Sequence, residues 1–210
     1  MDMVSQALTL VLSRRGRGHI WLTRTSTPKY NVAVPIINFT KGITFMAELS
    51  LTPKAIIDQL NKNKVTHVVW LPDSETNFMY EQVVADPRLD LVPICREGES
   101  MPIAAGLWVG GKKPVVLIQN TGMFESGDSI RGLGIDINFP MVMMIGYRGW
   151  TRHGETPDSA ARFTEPILNA WRIKYYLVES DEDVDRISMA FDEAERTQSP
   201  VAVLMGAEYS

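Results

Sequence analysis

Residues 89–119 read LDLVPICREGESMPIAAGLWVGGKKPVVLIQ. Leu89 to Cys95 is a short apolar run that predicts a strand. Ser100 to Val109 carries Met101, Ala104, Ala105, Trp108 and Val109 at i, i+3, i+4, i+7 and i+8, the apolar stripe of an amphipathic helix. Gly110-Gly111 stops that helix, and Pro114 to Gln119 is a second, continuously apolar strand. Strand, helix and strand within about thirty residues make a crossover unit, whose two strands run parallel and are covered on both faces.

The same alternation extends both ways. Upstream, Thr52-Pro53 is an N-cap followed by Pro at the first helical position, with Ile56, Ile57 and Leu60 at helical spacing. Val65 to Leu71 is a strand ended by Pro72, after which Asp73 or Ser74 can cap a helix reaching about Ala85. Downstream, a polar glycine-rich stretch, Asn120 to Gly134, precedes a buried strand, Pro140 to Tyr147. Then come a helix over Ala160 to Trp171, a strand over Lys174 to Val178, a helix over Asp181 to Thr197 and a last strand over Pro200 to Met205. The expected fold is α/β: a three-layer doubly wound domain with a mainly parallel sheet of about six strands. In such sheets ligands bind beyond the carboxyl ends of the strands, so the loops after Leu71, Cys95, Gln119 and Tyr147 are the informative ones.

The chain has 210 residues, 45% apolar and 22% charged, enough for one globular domain with a core. Its net charge of −4 averages +5 over residues 1–45 and −9 over residues 46–210. The acidic body argues against nucleic acid as a partner, which would need a basic stripe. No apolar run approaches the roughly 20 residues of a membrane span. Residues 1–45 lack the plan of a secretory signal, since Asp2 stands in the n-region and Arg14, Arg15 and Arg17 follow the short apolar stretch. They suit an organelle transit peptide in composition, but are read as an irregular, poorly ordered extension or the product of an early start, with Met46 opening the regular domain, 46–210. A cytoplasmic location is expected.

Several motifs fail. Gly106 to Lys113 approximates a phosphate-binding loop, but Lys113 stands where a Ser or Thr should be and leads into a strand instead of following one. No dinucleotide fingerprint, nucleophile elbow or zinc-protease motif is present. The single cysteine, Cys95, excludes a disulfide framework and multi-cysteine metal sites, and reads as a small buried hydrophobe. His67 lies in a strand and reads as packed or hydrogen-bonded.

One constellation survives. Glu97 follows the strand ending at Cys95, and Gly106 comes nine residues later on a small-residue helix. A strand then closes in Gln119-Asn120-Thr121-Gly122, and a later one in Gly146-Tyr147-Arg148-Gly149. This combination resembles the pyrimidine-binding domain of thiamine-diphosphate enzymes, most nearly the alpha subunit of sulfopyruvate decarboxylase and the equivalent half of phosphonopyruvate decarboxylase. It spans Leu51 to Met205.

The resemblance implies a thiamine-diphosphate-dependent 2-oxo-acid decarboxylase, a carboxy-lyase, in which Glu97 is the catalytic carboxyl that shares a proton with the aminopyrimidine. It places Glu97, Gln119, Asn120, Thr121 and Gly122 at the cofactor, and Arg148, Asn120 and Thr121 toward the substrate. The structural alternatives are an acidic residue complementing a helix N-terminus for Glu97, a polar turn for Gln119 to Gly122, a structural ion pair for Arg148, and helix capping for Asp73 and Ser74 at the same edge. The chain departs from the pattern at Met123-Phe124-Glu125-Ser126 and beyond Arg148, which puts the substrate in question more than the cofactor. The magnesium–diphosphate motif, Gly-Asp-Gly followed by Asn, is missing, since Gly127-Asp128-Ser129 lacks its third residue. No metal ligand is therefore assigned here. Mg2+ is expected on a beta subunit, in an assembly of at least two alpha and two beta chains, and the chain is expected to be inactive alone. Another thiamine-diphosphate 2-oxo-acid decarboxylase, an acetolactate synthase-like carboligase half, or a non-catalytic α/β binding module are the alternatives.

Overall fold

The computed structural model describes residues 12–14, 20–22 and 50–206. The chain divides into two units, Met1–Phe45 and Met46–Ser210. In the first, strands β1 (Leu12–Arg14) and β2 (Ile20–Leu22) pair antiparallel, Leu12 opposite Leu22. The expectation of an irregular extension, which did not foresee this pair, otherwise falls outside the described residues.

The second unit is built on six parallel strands: β3 (His67–Trp70), β4 (Asp90–Pro93), β5 (Pro114–Gln119), β6 (Val142–Gly146), β7 (Lys174–Val178) and β8 (Val201–Met205). Their order is β4-β3-β5-β6-β8-β7. Val68 of β3 lies opposite Leu91 and Val115, and Gln119 of β5 opposite Gly146 of β6. Strand side chains alternate between two cores. Val68, Trp70, Val115, Leu117, Val142 and Met144 pack with helices α1 (Pro53–Lys62), α2 (Tyr80–Ala85) and α7 (Asp185–Thr197). Val69, Val116, Ile118, Met143 and Ile145 pack with α3 (Ser100–Val109), α4 (Asn120–Glu125) and α6 (Ser159–Ala170). Two buried faces explain why the central strands read as unbroken apolar runs. Among the described residues no helix is long and apolar enough to cross a membrane.

Local chemistry sets the element ends as expected at several points. The Thr52 hydroxyl accepts from the Ala55 N–H (3.3 Å) and donates to Asp181 (2.9 Å), which fixes the start of α1. Gly110 closes α3, and Gly111 follows with φ +78, a conformation suited to glycine. His67 is packed, its Nδ1 2.8 Å from the Thr66 hydroxyl.

Three expectations need correction. The glycine-rich stretch after Gln119 is helical: α4, then α5 (Gly127–Ser129), then a π-helical turn over Ile130–Asp136. Its buried positions include Asn120, Gly122, Ser126 and Gly134 beside Met123 and Ile130, so polar and small residues hide the helical period. In α3 only Met101 and Ala104 of the apolar stripe are fully covered. Trp108 is 44% and Val109 79% exposed, and Trp108 packs against Phe139 in a tilted contact with ring centroids 5.1 Å apart. Cys95 is exposed, because it lies past the end of the edge strand β4 while its neighbour Ile94 turns inward.

The strand order marks where such a sheet takes a ligand. The chain passes from β4 on one side of β3 to β5 on the other, so the winding reverses between β3 and β5. At such a reversal the loops leave the carboxyl ends in opposite directions and open a cleft.

Candidate active site at the carboxyl edge of the sheet

Glu97 opens a 3-10 turn, Glu97–Glu99, between β4 and α3. It is partly buried and lies against the first turn of α4 at Gly122. A Cβ placed on Gly122 would stand 2.9 Å from Glu97 Oε1 and 3.0 Å from its Cδ, and closer still to Cγ. Only a residue without a side chain leaves Glu97 its position. Glu125, at the far end of α4, accepts hydrogen bonds from the Gly98 N–H and from Arg96 Nε, the latter at 2.5 Å.

The loop after β3 supplies the neighbouring wall. Asp73 Oδ1 accepts from the N–H groups of Glu75 (2.8 Å) and Thr76 (2.9 Å). This closes a turn and does not cap a helix as expected, since a 3-10 turn over Asn77–Met79 comes next and α2 starts only at Tyr80, neither with a side-chain cap. The buried Thr76 hydroxyl accepts from Trp70 Nε1 at 2.9 Å. Gly146, at the end of β6, is the seat of this loop, since a Cβ there would meet Glu75 Cβ at 2.8 Å and Thr76 Cγ2 at 3.0 Å. Burial pushes the Asp73 carboxyl above its ordinary value, hydrogen bonds from Thr76 and Glu75 pull it back, and the negative charge of Glu97 pushes it further up. Glu75 is raised by burial and by Asp73, and is drawn down by Arg148. Asp73, Glu75, Glu97, Arg148 and Asp158 thus share one electrostatic neighbourhood.

The strand-end tetrad divides its work. Asn120 is fully buried, and its Nδ2 donates to the Arg148 carbonyl (3.0 Å) and to the Thr164 hydroxyl of α6 (3.1 Å). It ties the end of β5 to the loop after β6. The Gln119 side-chain oxygen is buried with no hydrogen-bond partner, and so is Asn120 Oδ1. Thr121 is partly buried on α4, and Gly122 makes room for Glu97. Arg148 Nε donates to Asp158 Oδ2 at 3.1 Å, the structural ion pair that was the alternative for it, and its side chain is 52% exposed. Asp158 also caps α6 by accepting from the Ala160 N–H (2.8 Å). Tyr147 is held from α6, donating to Glu165 Oε1 at 3.0 Å, while Tyr175 donates to the other carboxyl oxygen at 2.7 Å. Burial and the Glu165 charge raise the Tyr147 hydroxyl well above its ordinary value.

Sequence reasoning gave no role to Glu125 or Thr164, because the contacts of Glu125 with Arg96 and Gly98 and of Thr164 with Asn120 span 27 to 44 residues and leave no local pattern. Among the described residues no group of three or more His, Cys, Asp or Glu is placed to hold a metal ion. The donor set does fit an aminopyrimidine. Such a ring offers a nitrogen that can share a proton with a carboxyl and an amino group that can donate. Glu97 supplies the carboxyl over a cradle that a Cβ would fill, and Gln119 supplies a buried acceptor in need of a donor.

No family model matches the chain. Sulfopyruvate decarboxylase subunit alpha of Methanothermobacter thermautotrophicus is 30% identical over 149 residues, 69% of this chain and 89% of that one. The chain belongs to the sulfopyruvate decarboxylase alpha-subunit family. The chain is also similar to part of a longer enzyme: phosphonopyruvate decarboxylase of Streptomyces viridochromogenes is 26% identical over 60% of this chain, which spans 32% of that enzyme. Among solved structures, a Mycobacterium smegmatis protein described as thiamin diphosphate-dependent superposes with a TM-score of 0.59 at 19% identity. The match covers 75% of the alpha-family chain and 30% of the other, and establishes the common fold.

Proposed function

We propose that this chain is the pyrimidine-binding subunit of a thiamine-diphosphate-dependent 2-oxo-acid decarboxylase, with Glu97 as the acid that acts on the cofactor's aminopyrimidine. The observation that carries the reading is the seat of Glu97 on Gly122, at the point where the winding of the sheet reverses. A carboxyl held on a bare helix turn at a ligand crevice suits a partner ring stacked into that crevice better than a surface salt bridge.

When bound, the cofactor supplies the electron sink that a 2-oxo acid needs to lose CO2. Glu97 would hold the proton shared with the ring nitrogen. Gln119 Oε1 would accept from the ring's amino group, filling an otherwise empty acceptor. Gly122 keeps the approach open, and Asn120 holds the β5 and β6 ends in fixed relation. Arg148, half exposed, would exchange Asp158 for an anionic group of the substrate. The names of the relatives support a short 2-oxo acid with a second acidic group, such as 3-sulfopyruvate.

The relatives are named alpha subunits, which supports a partner. That partner would be a beta chain carrying the magnesium and diphosphate site, in an assembly of two alpha and two beta chains or a multiple of it. The test is to mix the two chains with thiamine diphosphate and Mg2+ and to follow CO2 release from sulfo-, phosphono- and plain pyruvate. Release that needs both chains and disappears in Glu97→Gln is expected; full activity in that variant overturns the assignment.

A further inference from the structure

We propose that Glu125 is the positioning residue for Glu97, gripping the turn that carries it from the opposite end of α4. The inference rests on the assignment of Glu97 made above. The turn Glu97–Glu99 has no side-chain cap of its own. Glu125, 28 residues further on, supplies the missing acceptor: one carboxylate takes the Gly98 N–H and the Arg96 guanidinium. These two donors flank Glu97 on either side in the chain.

The grip has a second point. Gly122 lies three residues before Glu125, hence on the same face of α4, and the Glu97 side chain rests on it. One helix therefore fixes the backbone of the turn at Glu125 and the side chain at Gly122. Glycine at 98 has its own reason, because a Cβ there would stand 2.9 Å from Glu125 Oε2.

Local preference does not explain Glu125. A carboxylate in the last turn of a helix faces the negative end of the helix dipole, where a basic residue is favoured. Arg96 offsets that cost and leaves no unpaired carboxylate at this position beside Glu97. Glu125, one of the residues Met123-Phe124-Glu125-Ser126 read from the sequence as a substrate-side departure, thus holds the turn that carries the proposed acid.

The test uses the full chain, alone and reconstituted with its partner subunit, carrying Glu125→Ala, Glu125→Gln or Arg96→Gln. Losing a charge-assisted hydrogen bond should speed hydrogen exchange at the Gly98 amide about ten- to hundredfold in Glu125→Ala, measured by NMR on the chain alone. Glu125→Gln keeps an acceptor and should restore part of the protection. In the reconstituted enzyme the Ala variant should lose kcat about ten- to hundredfold with KM for the 2-oxo acid within about twofold, and the Gln variant should recover part of the loss. A structural role alone would lower the amount of folded enzyme and leave kcat per active site intact. Should Glu125→Ala not fold, Arg96→Gln and Glu125→Gln decide the matter by the same two readings, both smaller in size. Unchanged Gly98 exchange, or faster exchange with unchanged kcat, overturns the proposal. Full activity in Glu97→Gln would instead overturn the role of Glu97, while Gly98 exchange would still report whether the grip exists.

Discussion

Replacing Gly122 with alanine should separate activity from stability. The added Cβ would lie 3.0 Å from Glu97 Cδ and 2.9 Å from Oε1, where carbon atoms rest at about 3.5–4.0 Å. Glu97 Cγ would lie closer still, so Glu97 must leave its rotamer or move by more than about 1 Å. Displacement of a reacting group on that scale costs on the order of a hundredfold in rate. The fold should notice much less. Crowding costs about 1–3 kcal/mol in a close-packed core, and Glu97, on a partly buried turn, has to change rotamer to relieve it. Alanine in a helix in turn gains about 0.5–1 kcal/mol over glycine. The two effects offset each other in part, so the melting temperature should fall by no more than several degrees while CO2 release by the reconstituted enzyme falls by about two orders of magnitude. Gly132→Ala, where an added Cβ meets nothing within 4 Å, is the control and should retain activity. Wild-type activity in Gly122→Ala would refute the seat of Glu97 as a functional feature.

Two further outcomes follow from the same edge. Asn120→Ala removes both donations that join β5 to the β6 loop and to α6, and should destabilise the fold by about 1–3 kcal/mol in urea titrations, with a fall of a few degrees in Tm. Asp73 has its carboxyl raised in the folded chain, so the folded state keeps a proton that the unfolded chain releases above about pH 4; the stability linked to it is present below that pH and is lost as the pH rises through the folded value. Asp73→Asn keeps the acceptor for the Glu75 and Thr76 N–H groups, and should gain on the wild type as the pH climbs above about 4. A difference between the two proteins that stays constant with pH in denaturation experiments would contradict it.

The sheet was legible because its central strands are buried on both faces and spell their burial directly, as Pro114 to Gln119 and Pro200 to Met205 do. The cap at Thr52 and the turn at Asp73 were legible because each rests on a contact three residues away or less. What escaped was set at long range. The helical stretch after Gln119, from Asn120 to Asp136, buries an asparagine, a serine and two glycines, so no apolar stripe announces it. Trp108 and Val109 complete a helical stripe on paper, yet only Met101 and Ala104 of that stripe are fully covered. Glu97 could be singled out by its place after a strand, and Gly122 by its motif. Their contact, and the reach of Glu125 to Gly98 across 27 residues, belong to the folded chain alone.

The most direct test of the account is CO2 release from a 2-oxo acid by the reconstituted enzyme carrying Glu97→Gln, compared with the wild type at equal cofactor occupancy. Glutamine keeps the size of the side chain and removes the exchangeable carboxyl proton. Loss of a positioned acid predicts a fall of about a hundred- to ten-thousandfold in kcat. A kcat equal to that of the wild type would contradict the role given to Glu97 and, with it, the reading of the site.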